Sequence, residues 1–159
     1  WGRSIQRAAA LCEVLESHGL AARPVADLAM GLATADIVTC ATTAREPLVL
    51  GMQVRPGTHV DLVGAFTREM RENDDELVAK SEVFVDTFAG ALKEAGDLVQ
   101  PIEAGAIDRS HVLAEMADLV EGRHAGRISM DSVTLFKSVG TALEDLCAAR
   151  LVFERTGSD

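Results

Sequence analysis

In the stretch Ser132-Val133-Thr134-Leu135-Phe136-Lys137-Ser138-Val139-Gly140-Thr141-Ala142-Leu143-Glu144-Asp145, an apolar run meets a Ser-x-Gly turn. Val133 to Lys137 predicts a strand, and a helix from Thr141 to about Arg155 follows at once. Strand, glycine turn and helix in that order bring backbone close to a ligand at a helix N-terminus. Two other stretches share this character: Thr39-Cys40-Ala41-Thr42-Thr43-Ala44-Arg45-Glu46-Pro47 and His59-Val60-Asp61-Leu62-Val63-Gly64-Ala65-Phe66.

Outward from these, the periodicity predicts a helix over Ser4 to His18, stopped by Gly19. Ala21 to Val25 reads as a short edge strand and Ala26 to Thr34 as a weak, Ala-rich helix. Asp36 to Ala41 is β-branched without strict alternation, which predicts a strand buried on both faces of a parallel sheet. His59 to Ala65 is the next strand, and Asn73-Asp74-Asp75-Glu76 a capped, acidic helix start. Ser81 to Asp86 predicts a further strand and Ala89 to Glu94 a short helix. Residues 97–106 read as a loop, Arg109 to Glu121 as a helix and Gly122 to Arg127 as a turn. Strands alternating with helices imply an α/β fold with a right-handed, mostly parallel sheet. The last helix carries Ala142, Leu146, Ala149 and Phe153 on one stripe and is expected to pack on something large.

With 159 residues, 48% hydrophobic and 25% charged, the chain has room for one packed core. A net charge of −10 argues against nucleic acid as a partner, since phosphate binding needs a basic face. Aromatic residues make up 4%, with no Tyr and one Trp, so base stacking is not available on any scale. No apolar run is long enough to span a bilayer, and the first residues lack a secretory pattern, so no membrane partner is expected. Cys12, Cys40 and Cys147 are scattered in apolar surroundings and predict buried, reduced thiols in a cytoplasmic protein. His18, His59, His111 and His124 are far apart, so no metal site is expected. Neither a Gly-x-Ser-x-Gly elbow nor a Walker phosphate loop occurs.

Four motifs remain. Arg3 and Ser4 follow Trp1-Gly2 with no acid near. At the end of a dinucleotide-fold second strand, an acid takes ribose hydroxyls, whereas Arg and Ser suit a 2′-phosphate. Taken locally, Arg3 is a solvated charge and Ser4 a helix N-cap. Thr42, Thr43 and Ala44 are small residues after a buried strand, where a cofactor can cross the sheet edge, though Thr-rich turns are common. Gly64 and Ala65 after Val63 would admit a flat ring, with Phe66 either over that ring or in the core. In Ser138-Val139-Gly140, Ser138 offers a hydroxyl and Val139 an apolar contact. Alternation sends Lys137 to the opposite face from Ser138, where a salt-bridge role is the commoner one.

In order and spacing, "WGRS", "TTAREPL", "RPGTHVDLVGAF", "EMRENDDEL", "VFVDT", "ALKEAGDL" and "VTLFKSVGTALEDLCAARLVFER" resemble the ornithine cyclodeaminase/mu-crystallin family over nearly the whole chain. The resemblance implies a Rossmann-type domain, here incomplete at residues 1–140, and a C-terminal helical segment, 141–159, that returns to a dimerisation domain. It implies a homodimer and a nicotinamide cofactor, NADPH by the character of Arg3 and Ser4, with NADH possible. Thr42, Thr43 and Ala44 would then lie along the cofactor, Val63, Gly64 and Ala65 near the nicotinamide, and Ser138, Val139 and Gly140 would close over it.

The family's glycine-rich turn and carboxylate-holding Lys and Arg are expected upstream of residue 1, so the chain alone should bind cofactor weakly or not at all. Ornithine cyclodeaminases carry an Asp after the Gly-Gly or Gly-Ala pair; here that position is Phe66, which cannot move a proton. The pattern therefore looks more like the reductases of cyclic imino acids, Δ1-pyrroline-2-carboxylate and Δ1-piperideine-2-carboxylate. Phe66 would wall the substrate ring; the catalytic acid is not identified. The other readings are ornithine cyclodeaminase or alanine dehydrogenase-like activity on an amino acid, or a mu-crystallin-like NADPH and small-ligand binding protein.

Overall fold

The structure is a computed structural model and describes residues 1–157. Its centre is a five-stranded, wholly parallel sheet in the order β1-β2-β5-β3-β4. The strands are β1 (Ile37–Cys40), β2 (His59–Leu62), β3 (Glu82–Val85), β4 (Val112–Glu115) and β5 (Thr134–Lys137). The helices are α1 (Ile5–Ser17), α2 (Leu28–Leu32), α3 (Asp75–Lys80), α4 (Phe88–Glu94), α5 (Gly96–Glu103), α6 (Met116–Val120) and α7 (Ala142–Thr156). Residues 158 and 159 of the expected C-terminal segment lie outside the described residues.

Side-chain caps start most of these helices. Ser4 is extended at φ −120° and accepts a hydrogen bond from Arg7 N–H at 3.3 Å. Asp74 accepts from Leu77 N–H at 2.8 Å and Thr87 from Gly90 N–H at 3.2 Å. Thr141 and Glu144 form a reciprocal capping box on α7. β5 sits mid-sheet and is paired on both sides, Leu135 with Val60 and with Val83. Those three side chains, with Leu62, Val85, Leu77 and Leu98, are fully buried and form the core. Leu135→Ala is expected to lower stability by about 3 kcal/mol in urea denaturation of the full-length protein. A loss below about 1 kcal/mol would contradict the central place of β5.

Several expectations are corrected. Ala21 to Val25 joins no strand; Pro24 keeps it extended and removes a donor that a ladder would need. β1 is the edge of the described sheet, not an interior strand: Val38 is buried but Ile37 is 67% exposed. Residues 97–106 are largely helix α5, despite Pro101 within it. Gly96, Asp97, Leu98, Val99 and Pro101 are all buried there, so tertiary packing outweighs the missing backbone bond. The helix expected over Arg109 to Glu121 is instead a 3-10 turn (Arg109–His111), strand β4 and the short α6. Pairing with β3 overrides the helix-forming Leu, Ala, Glu and Met of that stretch. All three cysteines are free, but none is buried: Cys12 and Cys40 are half-buried and Cys147 is exposed.

Helix α7 buries no residue: Leu146 and Phe153 of its stripe, and Leu143 and Val152 near it, stand exposed among the described residues. No helix is long and apolar enough to cross a membrane among the described residues.

Candidate functional site

β1, β2, β5 and β3 are parallel neighbours, so their carboxyl ends, Cys40, Leu62, Lys137 and Val85, share one edge of the sheet. Open parallel sheets bind ligands at that edge. The turns that leave it carry the three glycine- and threonine-rich stretches.

The turn after β1 is fixed by three contacts. Thr42 N–H donates to Glu72 Oε1 at 2.6 Å, Ala44 N–H to Thr42 Oγ1 at 3.2 Å, and Arg71 N–H to the Ala44 carbonyl at 2.8 Å. It forms one wall of a cleft of about 520 Å3, in which Thr42, Thr43 and Ala44 meet Arg3, Ser4 and Arg7. Among the described residues no carboxylate side chain lines this cleft. Two guanidiniums and a hydroxyl without an opposing acid suit a phosphate dianion. Arg7 is the residue that sequence reasoning missed here; it lies in the first turn of α1, just after the Ser4 cap, and lines the cleft together with Arg3.

The turn after β2 packs against the first. Val63 N–H and Gly64 N–H both point at the Cys40 carbonyl, at 2.8 and 3.4 Å. A Cβ on Gly64 would collide with the Thr42 carbonyl and the Glu72 carboxylate, so the close approach requires glycine. Ala65 is fully buried in the left-handed region at φ 47°, while Val63 and Phe66 are half-exposed. Phe66 is therefore a surface ring at this edge, not a core residue.

The turn after β5 is organised by Asp86, at the end of β3. Its Oδ2 accepts from Ser138 Oγ at 3.2 Å and from Val139 N–H and Gly140 N–H at 2.7 Å each. The Ser138 hydroxyl thus already donates within the protein. Asp86 was not legible as a functional residue in sequence, although an acid closing an apolar strand beside a Thr cap was its only signal. Val63, Gly64, Ala65, Phe66, Ser138, Val139 and Gly140 share the sheet edge but do not line the cleft of Arg3 and Ser4.

Below the turns, Lys137 is completely buried, with Nζ 3.5 Å from Asp97 Oδ2. The salt-bridge role expected for this lysine is the one observed. Its position was readable from its sharing a strand face with Leu135. Burial pushes the Asp97 carboxyl up to about 6 against its hydrogen bonds and Lys137. Burial, reinforced by Glu72 and Asp97, pushes the Cys40 thiol up to about 12, so it stays protonated and is no nucleophile. His59 lies at the opposite end of β2, its Nδ1 2.8 Å from Thr134 Oγ1. Among the described residues no group of three His, Cys, Asp or Glu side chains could hold a metal.

The ornithine cyclodeaminase/mu-crystallin family model matches residues 1–159. The chain is 44% identical over 152 residues to the Δ1-pyrroline-2-carboxylate reductase of Paracoccus denitrificans, covering 96% of this chain and 48% of that protein. It is similar to the solved Δ1-pyrroline-2-carboxylate reductase of Thermococcus litoralis in complex with NADH and L-proline. That match has a TM-score of 0.92 and 40% identity, over 96% of this chain and 47% of the other. The iminosuccinate reductase of Paracoccus denitrificans in complex with NAD+ matches with a TM-score of 0.88 and 30% identity, over 97% of this chain and 47% of the other. The chain spans about half the length of the curated relatives it matches. With an α/β Rossmann-type sheet and a family match over its whole length, the chain belongs to the ornithine cyclodeaminase/mu-crystallin family.

Proposed function

We propose that the full-length protein carrying this chain reduces cyclic imino acids to cyclic amino acids with a nicotinamide cofactor. Δ1-pyrroline-2-carboxylate would give proline and Δ1-piperideine-2-carboxylate pipecolate. The observation that carries this reading is the apolar, half-exposed ring of Phe66 beside Gly64 and Ala65 at the ligand-binding edge of the sheet. The reductases among the relatives support the same chemistry.

The cofactor, when bound, supplies the hydride. The residues of the chain bind and orient. Arg3, with Arg7 beside it, meets a 2′-phosphate, and Ser4 adds a hydroxyl. Thr42, Thr43 and Ala44 line the dinucleotide, Val63, Gly64 and Ala65 face the nicotinamide end, and Ser138, Val139 and Gly140 close that end. Phe66 walls off the ring methylenes of the substrate and excludes water from the C=N bond. The cleft's lining of Arg3, Arg7 and Ser4, without an acid among the described residues, favours NADPH, although the Thermococcus relative is a complex with NADH. The exposed stripe of α7 supports a homodimer in which this helix joins a separate dimerisation unit.

Two outcomes test this reading. Arg3→Asp should shift the ratio of kcat/KM for NADPH over NADH by about 100-fold toward NADH, since one charge-assisted phosphate contact is lost and a repulsion added. An unchanged ratio would remove Arg3 from the cofactor site. With ornithine and NAD+, no ammonia should form, because Phe66 cannot serve as acid or base. Ammonia release would move the protein to cyclodeamination.

A further inference from the structure

Beneath the turn after β2 lies a charged group that the proposed chemistry does not touch. Lys137, Glu72 and Asp97 are all fully buried. Lys137 Nζ donates to the Leu62 carbonyl at 3.1 Å and to the Gly64 carbonyl, and pairs with Asp97. Asp97, in the first turn of α5, accepts from Glu72 N–H at 2.6 Å and Asn73 N–H at 3.3 Å. Glu72 in turn holds Thr42 N–H. One ammonium and two carboxylates thus join β5, α5 and the turns after β1 and β2.

A buried ion pair is weak evidence for a stabilising role, because desolvation offsets its attraction. The conformation of Ala65 gives this one a different meaning. A non-glycine residue at φ 47° is strained and persists only where its surroundings over-determine it. The two peptide groups that flank Ala65 are each held by an internal donor. Lys137 Nζ holds the Gly64 carbonyl on one side, and Gly96 N–H holds the Ala65 carbonyl at 3.2 Å on the other. Releasing either peptide would let Ala65 relax and re-aim Val63 and Phe66.

We propose that Lys137 is a positioning residue: by holding the Gly64 carbonyl it locks Ala65 in its left-handed conformation and so orients the Val63–Phe66 turn for the nicotinamide ring. This rests on the placement of the nicotinamide given under Proposed function. Lys137 touches neither cofactor nor substrate; it acts through the turn.

The test compares two ligands in the full-length protein: NADPH, and 2′-phospho-ADP-ribose, which lacks the nicotinamide. Lys137→Met leaves Asp97 buried without its cation, so the decisive variant is Lys137→Met with Asp97→Asn, which keeps the net charge and similar volumes. It should fold and bind 2′-phospho-ADP-ribose like the wild type, while NADPH affinity falls about 30-fold. Adding Ala65→Gly, which makes the left-handed conformation strain-free, should recover about tenfold of that loss. Equal weakening of both ligands, unchanged NADPH affinity, or failure of the double variant to fold would each overturn the assignment. Wild-type protein that binds neither ligand would overturn the cofactor reading and this inference together. Wild-type binding with an unaffected double variant would overturn this inference alone.

Discussion

Gly64→Ala in the full-length protein is expected to cost about 3 kcal/mol of stability and to abolish measurable NADPH binding. The added Cβ has nowhere to go: the Thr42 carbonyl lies on one side and the Glu72 carboxylate on the other. Neither yields easily. Thr42 is held by Glu72 through its own N–H at 2.6 Å, and the Glu72 N–H is held by buried Asp97 at 2.6 Å. The methyl must therefore push the turns after β1 and β2 apart, and these are the two turns assigned to the cofactor. Urea denaturation and a fluorescence titration with NADPH read the two effects separately. A variant of wild-type stability that still binds NADPH would show that the turns are not packed as described.

Asp86→Ala carries the second largest effect. A single oxygen, Oδ2, gathers the Ser138 hydroxyl and the Val139 and Gly140 amides, while Oδ1 accepts from Thr87 N–H at 2.6 Å. Asp86 itself is 4% exposed, so its removal opens a polar void at the sheet edge. The expected loss is about 3 kcal/mol: charge-assisted bonds are the stronger kind, and water replaces those at the exposed Gly140 more readily than those inside. Reduction of imine should fall at least about 100-fold in kcat/KM, because the turn after β5 loses the three hydrogen bonds that Asp86 gathers. Asp86→Asn keeps the shape and one acceptor and should fall between wild type and Asp86→Ala in both measurements. Activity in Asp86→Ala within about twofold of wild type would exclude the Ser138–Gly140 turn from the site.

The parallel architecture was legible because four of its five strands are short apolar or β-branched runs closed by turn residues. β4 was not, because Val112 to Glu115 has the composition of a helix and becomes a strand only through its pairing with β3. α5 was hidden by Gly96 and Pro101, residues that break exposed helices but are tolerated in a short buried one. The edge position of β1 could not be read from Asp36 to Ala41, since the same residues suit an interior strand.

At the site, Arg3, Ser4, Thr42, Thr43 and Ala44 were singled out in the sequence as separate motifs, and the structure brings them to one cleft. The supports beneath were not singled out. Asp86, Glu72 and Asp97 lie far apart along the chain, and only the packed sheet brings their carboxylates to the backbone amides of the turns. Phe66 illustrates the converse: its place in the sequence left core and surface open, and its exposure shows a surface ring at the sheet edge.

The most direct measurement is the oxidation of NADPH, and of NADH, by the full-length protein offered Δ1-pyrroline-2-carboxylate, with proline quantified as the product. The account predicts stoichiometric proline formation, faster with NADPH than with NADH. Cofactor that binds but is not oxidised by either cyclic imino acid would contradict the reductase assignment and leave a binding protein in its place.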